Sequence, residues 1–160
     1  MKRTKVLLIG TGSWAEQHIR AYGLSRWCDL VGIVGHHNRE RTRQLAATNM
    51  IPAHFMDVRR AISETEPDVV DVASNPRYRL NAVKACCGVG VKLVNLEKPM
   101  ALKPSDAYAI ETLCRKHRLL LTVNHQKKFN APWAKACRIV RSGRLGRIGF
   151  FRATCKGNLL

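Results

Sequence analysis

The stretch Lys5-Val6-Leu7-Leu8-Ile9-Gly10-Thr11-Gly12-Ser13-Trp14-Ala15 runs a short apolar segment into a glycine-rich turn. Lys5 to Ile9 does not alternate with polar residues, which suits a strand buried on both faces, as in a parallel sheet. The turn matches G-x-G-x-x-A. Gly10 permits a tight bend, Gly12 lets the main chain approach a pyrophosphate, and small Ala15 allows close helix–strand packing. The N-terminus of the following helix attracts phosphates. Glycines at this spacing also serve plain tight turns, and their place on a first strand-to-helix junction favours a dinucleotide site.

Four similar apolar runs follow: Leu30 to Val34, Val69 to Ala73, Val91 to Leu96 and Leu119 to Val123. Between them lie amphipathic stretches. Ala15, Ile19 and Tyr22 mark a first helix, and Leu45 and Ala46 a second. Asp57 can cap a short helix through Ile62, Pro76 interrupts the chain before a helix from about Tyr78 to Cys87, and Pro104 opens one bearing Ala107, Ile110, Leu113 and Cys114. The order βαβαβαβαβα predicts an α/β fold with a Rossmann-type doubly wound parallel sheet over residues 1–124. From residue 125 to 160 the pattern changes. A helix with Trp133, Cys137 and Val140 on one face, then a strand from Arg147 to Cys155, predict the incomplete beginning of a second, α+β domain.

The chain has 160 residues, is 46% hydrophobic, and sets 28 Lys+Arg against 11 Asp+Glu. That composition excludes wholesale disorder and leaves room for one full domain. No apolar run approaches the roughly 20 residues that cross a bilayer, and the N-terminus lacks a long signal-type apolar region, so a cytoplasmic protein is expected. The six cysteines form no C-x-x-C pair, which predicts free thiols and no metal site. All 11 acids lie in residues 1–111, whereas residues 112–160 hold 12 Lys+Arg. A nucleic-acid or anionic-surface role is one explanation. Solvated faces whose acidic counterparts lie in a further portion of the protein are the other. With no reader motif present, a nucleic-acid partner is the weaker expectation.

An NAD site commonly carries an Asp or Glu near the end of the second strand. Here that region reads Val34-Gly35-His36-His37-Asn38-Arg39, without an acid. With no carboxylate to repel a 2′-phosphate, and with His36, His37, Arg39 and Arg41 at hand, NADP is favoured slightly over NAD. The competing reading makes these arginines the wet face of the second helix.

The segment Leu96-Glu97-Lys98-Pro99-Met100-Ala101 ends the fourth apolar run at the sheet edge where open α/β folds bind ligands. With the glycine loop, His18, Ser74-Asn75-Pro76, Gly90-Val91-Lys92, Asn124-His125-Gln126-Lys127-Lys128-Phe129 and Ser142-Gly143-Arg144-Leu145-Gly146-Arg147-Ile148, it resembles the glucose-fructose oxidoreductase/inositol dehydrogenase (Gfo/Idh/MocA) family over nearly the whole chain. The resemblance implies hydride transfer between a nicotinamide and a hydroxyl-bearing carbon of a sugar, polyol or related small molecule, and a homo-oligomer in the full-length protein. It implies Lys98 as the acid–base residue, with Glu97 holding its ammonium and Pro99 fixing the turn, for which a cis bond is one route. On spacing alone, Lys98 and Glu97 would read as a surface ion pair.

Together the motif reading and the resemblance place Gly10, Thr11, Gly12, Ser13, Trp14, Ala15, His36, His37, Arg39, Ser74, Asn75, Pro76, Glu97, Lys98 and Pro99 along the cofactor cleft. Trp14 can instead pack in the core, Asn75 and Pro76 can simply break the chain, and His18 reads as a packed or capping histidine. The family's second domain supplies a later Asp and His. Here no acid follows Glu111 and no His follows His125, which predicts a cofactor domain joined to the opening of a truncated substrate domain. A dinucleotide-binding module without catalysis is therefore the alternative to an oxidoreductase.

Overall fold

The computed structural model describes residues 2–154. The elements are β1 (Thr4–Ile9), α1 (Ser13–Gly23), β2 (Cys28–Val34), α2 (Arg39–Thr48), β3 (His54–Phe55), α3 (Val58–Thr65), β4 (Val69–Val72), α4 (Arg79–Cys86), β5 (Leu93–Glu97), α5 (Pro104–Lys116), β6 (Leu120–Asn124) and α6 (Ala131–Arg141). Single 3-10 turns cover Pro76–Tyr78 and Gln126–Phe129. The chain divides into two units, one ending at Asn124 and the other starting at His125.

In the first unit six parallel strands line up as β3-β2-β1-β4-β5-β6. This is the doubly wound order, and it reverses between β1 and β4, where such sheets open a ligand crevice. Alternate residues of β1 feed two cores. Leu7 and Ile9 pack with Val70, Val72, Val94, Leu96, Val83 of α4 and Ile110 of α5, while Leu8 packs with Ala15 and Ile19 of α1, Ile33 and Ala46. The helix caps follow the sequence: the Asn38 side chain accepts from the Arg41 N–H and Asp57 from the Arg60 N–H.

Beyond β1 one face of the sheet turns polar. Val70 and Val72 point into the larger core, whereas buried Asp71 points to the opposite face. Asp71 pairs in register with Asn95 of β5, and Asn95 with Thr122 of β6. Asn95 Nδ2 donates to Asp71 Oδ1 at 2.8 Å, and Thr122 Oγ1 donates to Asn95 Oδ1 at 2.8 Å. A polar rung thus crosses three strands.

Three expectations need correction. The two-residue β3 was not anticipated, because His54–Phe55 is too short to show a pattern. The run at Leu119–Val123 is not buried on both faces: β6 is an edge strand, and Leu120 is 65% exposed. The expected strand from Arg147 to Cys155 is not formed over Arg147–Thr154, and Cys155 lies outside the described residues. Alternation supplies a strand with faces but not with a neighbour for its N–H and C=O groups, and none pairs with this segment among the described residues. Through Thr154 the second unit is instead the 3-10 turn, α6, and turns at Gly143 and Gly146, both at positive φ.

No helix among the described residues is long and apolar enough to cross a membrane. Cys86 and Cys114 are buried, whereas Cys137 is exposed. Burial pushes both buried thiols up from their ordinary range, with neighbouring cysteines adding to the effect.

Candidate active site

The glycine turn sits at the crevice. Gly10, at φ +134°, donates its N–H to the Val34 carbonyl at 2.8 Å, and a Cβ there would stand 2.4 Å from the Ala73 carbonyl oxygen. Only glycine lets the ends of β1 and β4 approach so closely. Gly12 is the extended N-cap of α1, and the space its Cβ would take is open. No side chain caps the helix, so the first-turn N–H groups stay available to an anion. Ala15 is fully buried against the sheet, and Ser13 is exposed. Arg41 braces the loop from α2: its Nε donates to the Thr11 carbonyl at 2.7 Å and its Nη2 pairs with Glu16 at 2.6 Å.

At the end of β2, His36 stacks on Tyr78 with ring centroids 4.2 Å apart, and His37 Nε2 lies 2.6 Å from the Tyr78 hydroxyl. Burial, reinforced by His37, lowers the His36 pKa and keeps that ring neutral. Arg39 opens α2 and lines a separate pocket of about 440 Å³ with His54, Asp57 and Arg60. After β4, Asn75 Oδ1 accepts from the Arg77 N–H at 3.1 Å, which makes Asn75 the cap of the 3-10 turn that Pro76 begins. Among the described residues two buried side-chain polar atoms have no partner: Ser74 Oγ and His36 Nε2. These orphans, the open space at Gly12 and the uncapped helix form a polar cradle that fits a dinucleotide.

Glu97 and Lys98 end β5. The Glu97 side chain is buried and does not hold the Lys98 ammonium, as the sequence had suggested. Its Oε2 accepts the Lys98 main-chain N–H at 3.2 Å, and its Oε1 accepts from Asn124 Nδ2 and faces His18 Nε2 at 3.1 Å. The Lys98 ammonium is exposed and lies 5.7 Å from the centroid of the Trp14 ring, which is itself 48% exposed rather than packed in the core. The Lys98–Pro99 peptide is cis.

Around this turn stand residues that the sequence reading missed or set aside. Arg79, only 2% exposed, donates to the carbonyls of Ser74, Glu97 and Pro99 and so ties the β4 and β5 ends together. His18 Nδ1 lies 2.6 Å from Asp71 Oδ2, which also accepts from the Tyr22 hydroxyl at 2.9 Å. His18 and Tyr22, four residues apart on α1, share a face. The missed signals were an acid inside the apolar run Val69-Val70-Asp71-Val72, an amide inside Leu93-Val94-Asn95-Leu96, and an arginine facing the core of α4. Among the described residues no group of three His, Cys, Asp or Glu side chains is arranged to hold a metal.

A doubly wound sheet with an uncapped glycine loop at its reversal point, and a lysine turn one strand beyond the crevice, defines a dinucleotide-binding domain of the Rossmann class. Comparison with known proteins narrows this further. A family described as an oxidoreductase family with an NAD-binding Rossmann fold matches residues 4–125, and the chain belongs to it: it is a Gfo/Idh/MocA protein. The D-apiose dehydrogenase of Paraburkholderia graminis is 25% identical over 146 residues, 91% of this chain and 38% of that protein. In fold the chain resembles the myo-inositol 2-dehydrogenase of Lactobacillus plantarum (TM-score 0.84, 16% identity, 92% of this chain and 43% of that one). It likewise resembles the scyllo-inositol dehydrogenase of Lactobacillus casei, solved with NAD(H) and scyllo-inositol (TM-score 0.83, 17% identity, 91% and 43%). The chain spans about two fifths of the length of these relatives.

Proposed function

We propose that this chain holds a nicotinamide dinucleotide at its glycine loop and, within the whole protein, serves an oxidoreductase acting on a hydroxyl-bearing carbon of a sugar or polyol. The observation that carries this reading is the Lys98 ammonium, paired with no carboxylate among the described residues and 5.7 Å from the ring of Trp14, which follows the open turn of Gly10 and Gly12. The nicotinamide, when bound, accepts or supplies the hydride. The protein's own tasks are to hold the pyrophosphate with the main-chain N–H groups of Thr11 to Ala15 at the start of α1, and to offer Ser74 Oγ to the cofactor. Trp14 flanks the reacting region. Lys98 Nζ hydrogen-bonds the substrate oxygen: as the ammonium it gives that oxygen a proton when the carbon is reduced, and as the neutral amine it takes the hydroxyl proton when the carbon is oxidised. Glu97 acts through the main chain of Lys98.

NADP is favoured slightly over NAD, because Gly35-His36-His37-Asn38 brings no carboxylate to the ribose. His36 is neutral and Arg41 is engaged with Thr11 and Glu16, so a 2′-phosphate contact falls to Arg39, which would have to turn from the separate pocket it lines with Asp57 and Arg60. A sugar or polyol substrate is supported by the relatives' names, and a cytoplasmic, homo-oligomeric full-length protein belongs to the same reading. Residues from His125 onward are read as the opening of the substrate domain.

Fluorescence titration with NADPH and NADH tests the cofactor reading, with micromolar-range binding and a modest NADPH preference expected. Absence of binding to both sinks it. In a polyol panel with the whole protein, Lys98→Ala should lower kcat by about 10²–10⁴-fold, the range typical of a lost general acid–base. Unchanged turnover removes Lys98 from the chemistry and leaves a binding module.

A further inference from the structure

We infer that His18 is the positioning residue of this site: its ring, held between Asp71 and Glu97, fixes the carboxylate on which the Lys98 main chain rests and so sets where the Lys98 amine stands. This deepens the reading of Lys98 given above and rests on it. Both ring nitrogens face carboxylate oxygens, Nδ1 at 2.6 Å from Asp71 Oδ2 and Nε2 at 3.1 Å from Glu97 Oε1. A neutral imidazole has one N–H and one lone pair: with the proton on Nδ1, the Nε2 lone pair meets the Asn124 amide Nδ2 at 3.4 Å but opposes the nearer Glu97 oxygen at 3.1 Å. The doubly protonated ring, donating from both nitrogens, satisfies both contacts.

The groups that bear on the ring's charge come from several elements. Asp71 approaches from β4 and Glu97 from β5, while the Tyr22 hydroxyl on α1 shares Asp71. From β6 comes the uncharged amide of Asn124, and from α4 the Arg79 guanidinium, bonded to the Glu97 carbonyl. Two buried carboxylates thus flank one ring, and a charge on that ring offsets the cost of burying them. The hydrogen bond to Asp71 raises the His18 pKa, opposed by burial and aided by the charges of Asp71 and Glu97. As the pH rises past that raised value the ring gives up one proton, one carboxylate loses its donor, and the hold on Glu97 and the Lys98 amide loosens.

The test follows the His18 ring nitrogens and the Lys98 main-chain amide by ¹⁵N NMR in the 160-residue chain, from acid to alkaline pH. At neutral pH both ring nitrogens should carry protons, and the Lys98 amide shift should move with the same midpoint as the ring. In His18→Gln that movement should vanish and protection of the Lys98 amide from exchange should fall about tenfold. A ring that is neutral at neutral pH, or a wild-type Lys98 amide indifferent to the ring's titration, overturns the proposal, and neither result depends on a variant folding. NADPH titration of His18→Gln, Lys98→Ala and the double variant supplies a second readout. About tenfold weaker binding in each single variant, with no further loss in the double, supports one shared pathway, whereas additive losses overturn it. If the wild type binds no cofactor, the oxidoreductase reading fails while the amide titration still decides the role of His18.

Discussion

Gly10 and Gly12 stand two positions apart and are constrained in different ways. At Gly10 both the +134° φ and the Ala73 oxygen 2.4 Å from a built Cβ forbid a side chain. Gly10→Ala should cost about 2 kcal/mol or more, read as a lowered thermal midpoint. Gly12 has ordinary backbone angles and empty space, so Gly12→Ala should change stability by no more than about 1 kcal/mol. Its methyl group would instead occupy the approach of the pyrophosphate, and NADPH affinity should drop about tenfold or more. A Gly12→Ala variant that binds as the wild type does would move the cofactor elsewhere. If Gly10→Ala is neutral in melting experiments, the close contact between the ends of β1 and β4 is not a constraint on the fold.

Among the elements, β1 is the hinge of the packing because its two faces feed different cores. Leu8→Ala should cost about 2–5 kcal/mol, measured by denaturant unfolding. The histidines on α1 and after β2 pull stability in opposite directions with pH. His18 has a raised pKa in the fold, so its contribution is fully present below the unfolded value and fades as the pH rises through the folded one. His36 has a lowered pKa, so its contribution is fully present above the unfolded value and fades as the pH falls. Both act together only near the unfolded value of about 6.5, where their joint contribution should peak. In melting curves, His18→Gln should flatten the alkaline side. An unchanged alkaline slope would show that the ring is not charged in the fold. The elements legible in the sequence were those whose signal is local, such as the apolar β1 with its glycines and α5 opened by Pro104. What escaped depends on neighbours: β3 exists only by pairing with β2, and no partner strand accompanies Arg147–Thr154. The site was legible at Gly10, Gly12 and Lys98, which lie in contiguous motifs. Asp71, Asn95 and Arg79 were not, because their partners come from other strands and helices.

At the scale of the molecule, every buried apolar side chain among the described residues lies at or before Leu119. A chain ended after Asn124 should therefore unfold cooperatively with its midpoint within a few degrees of the 160-residue form, as followed by circular dichroism. Loss of the sigmoidal transition would show that the core leans on residues beyond. The polar rung of Asp71, Asn95 and Thr122 bears on assembly in another way. Sliding β5 one residue along β4 would thrust an amide among leucines and valines and strand a carboxylate opposite a hydrocarbon. The rung works as the wards of a lock do, letting the strands seat in a single alignment and bringing the lysine to the sheet edge at one height.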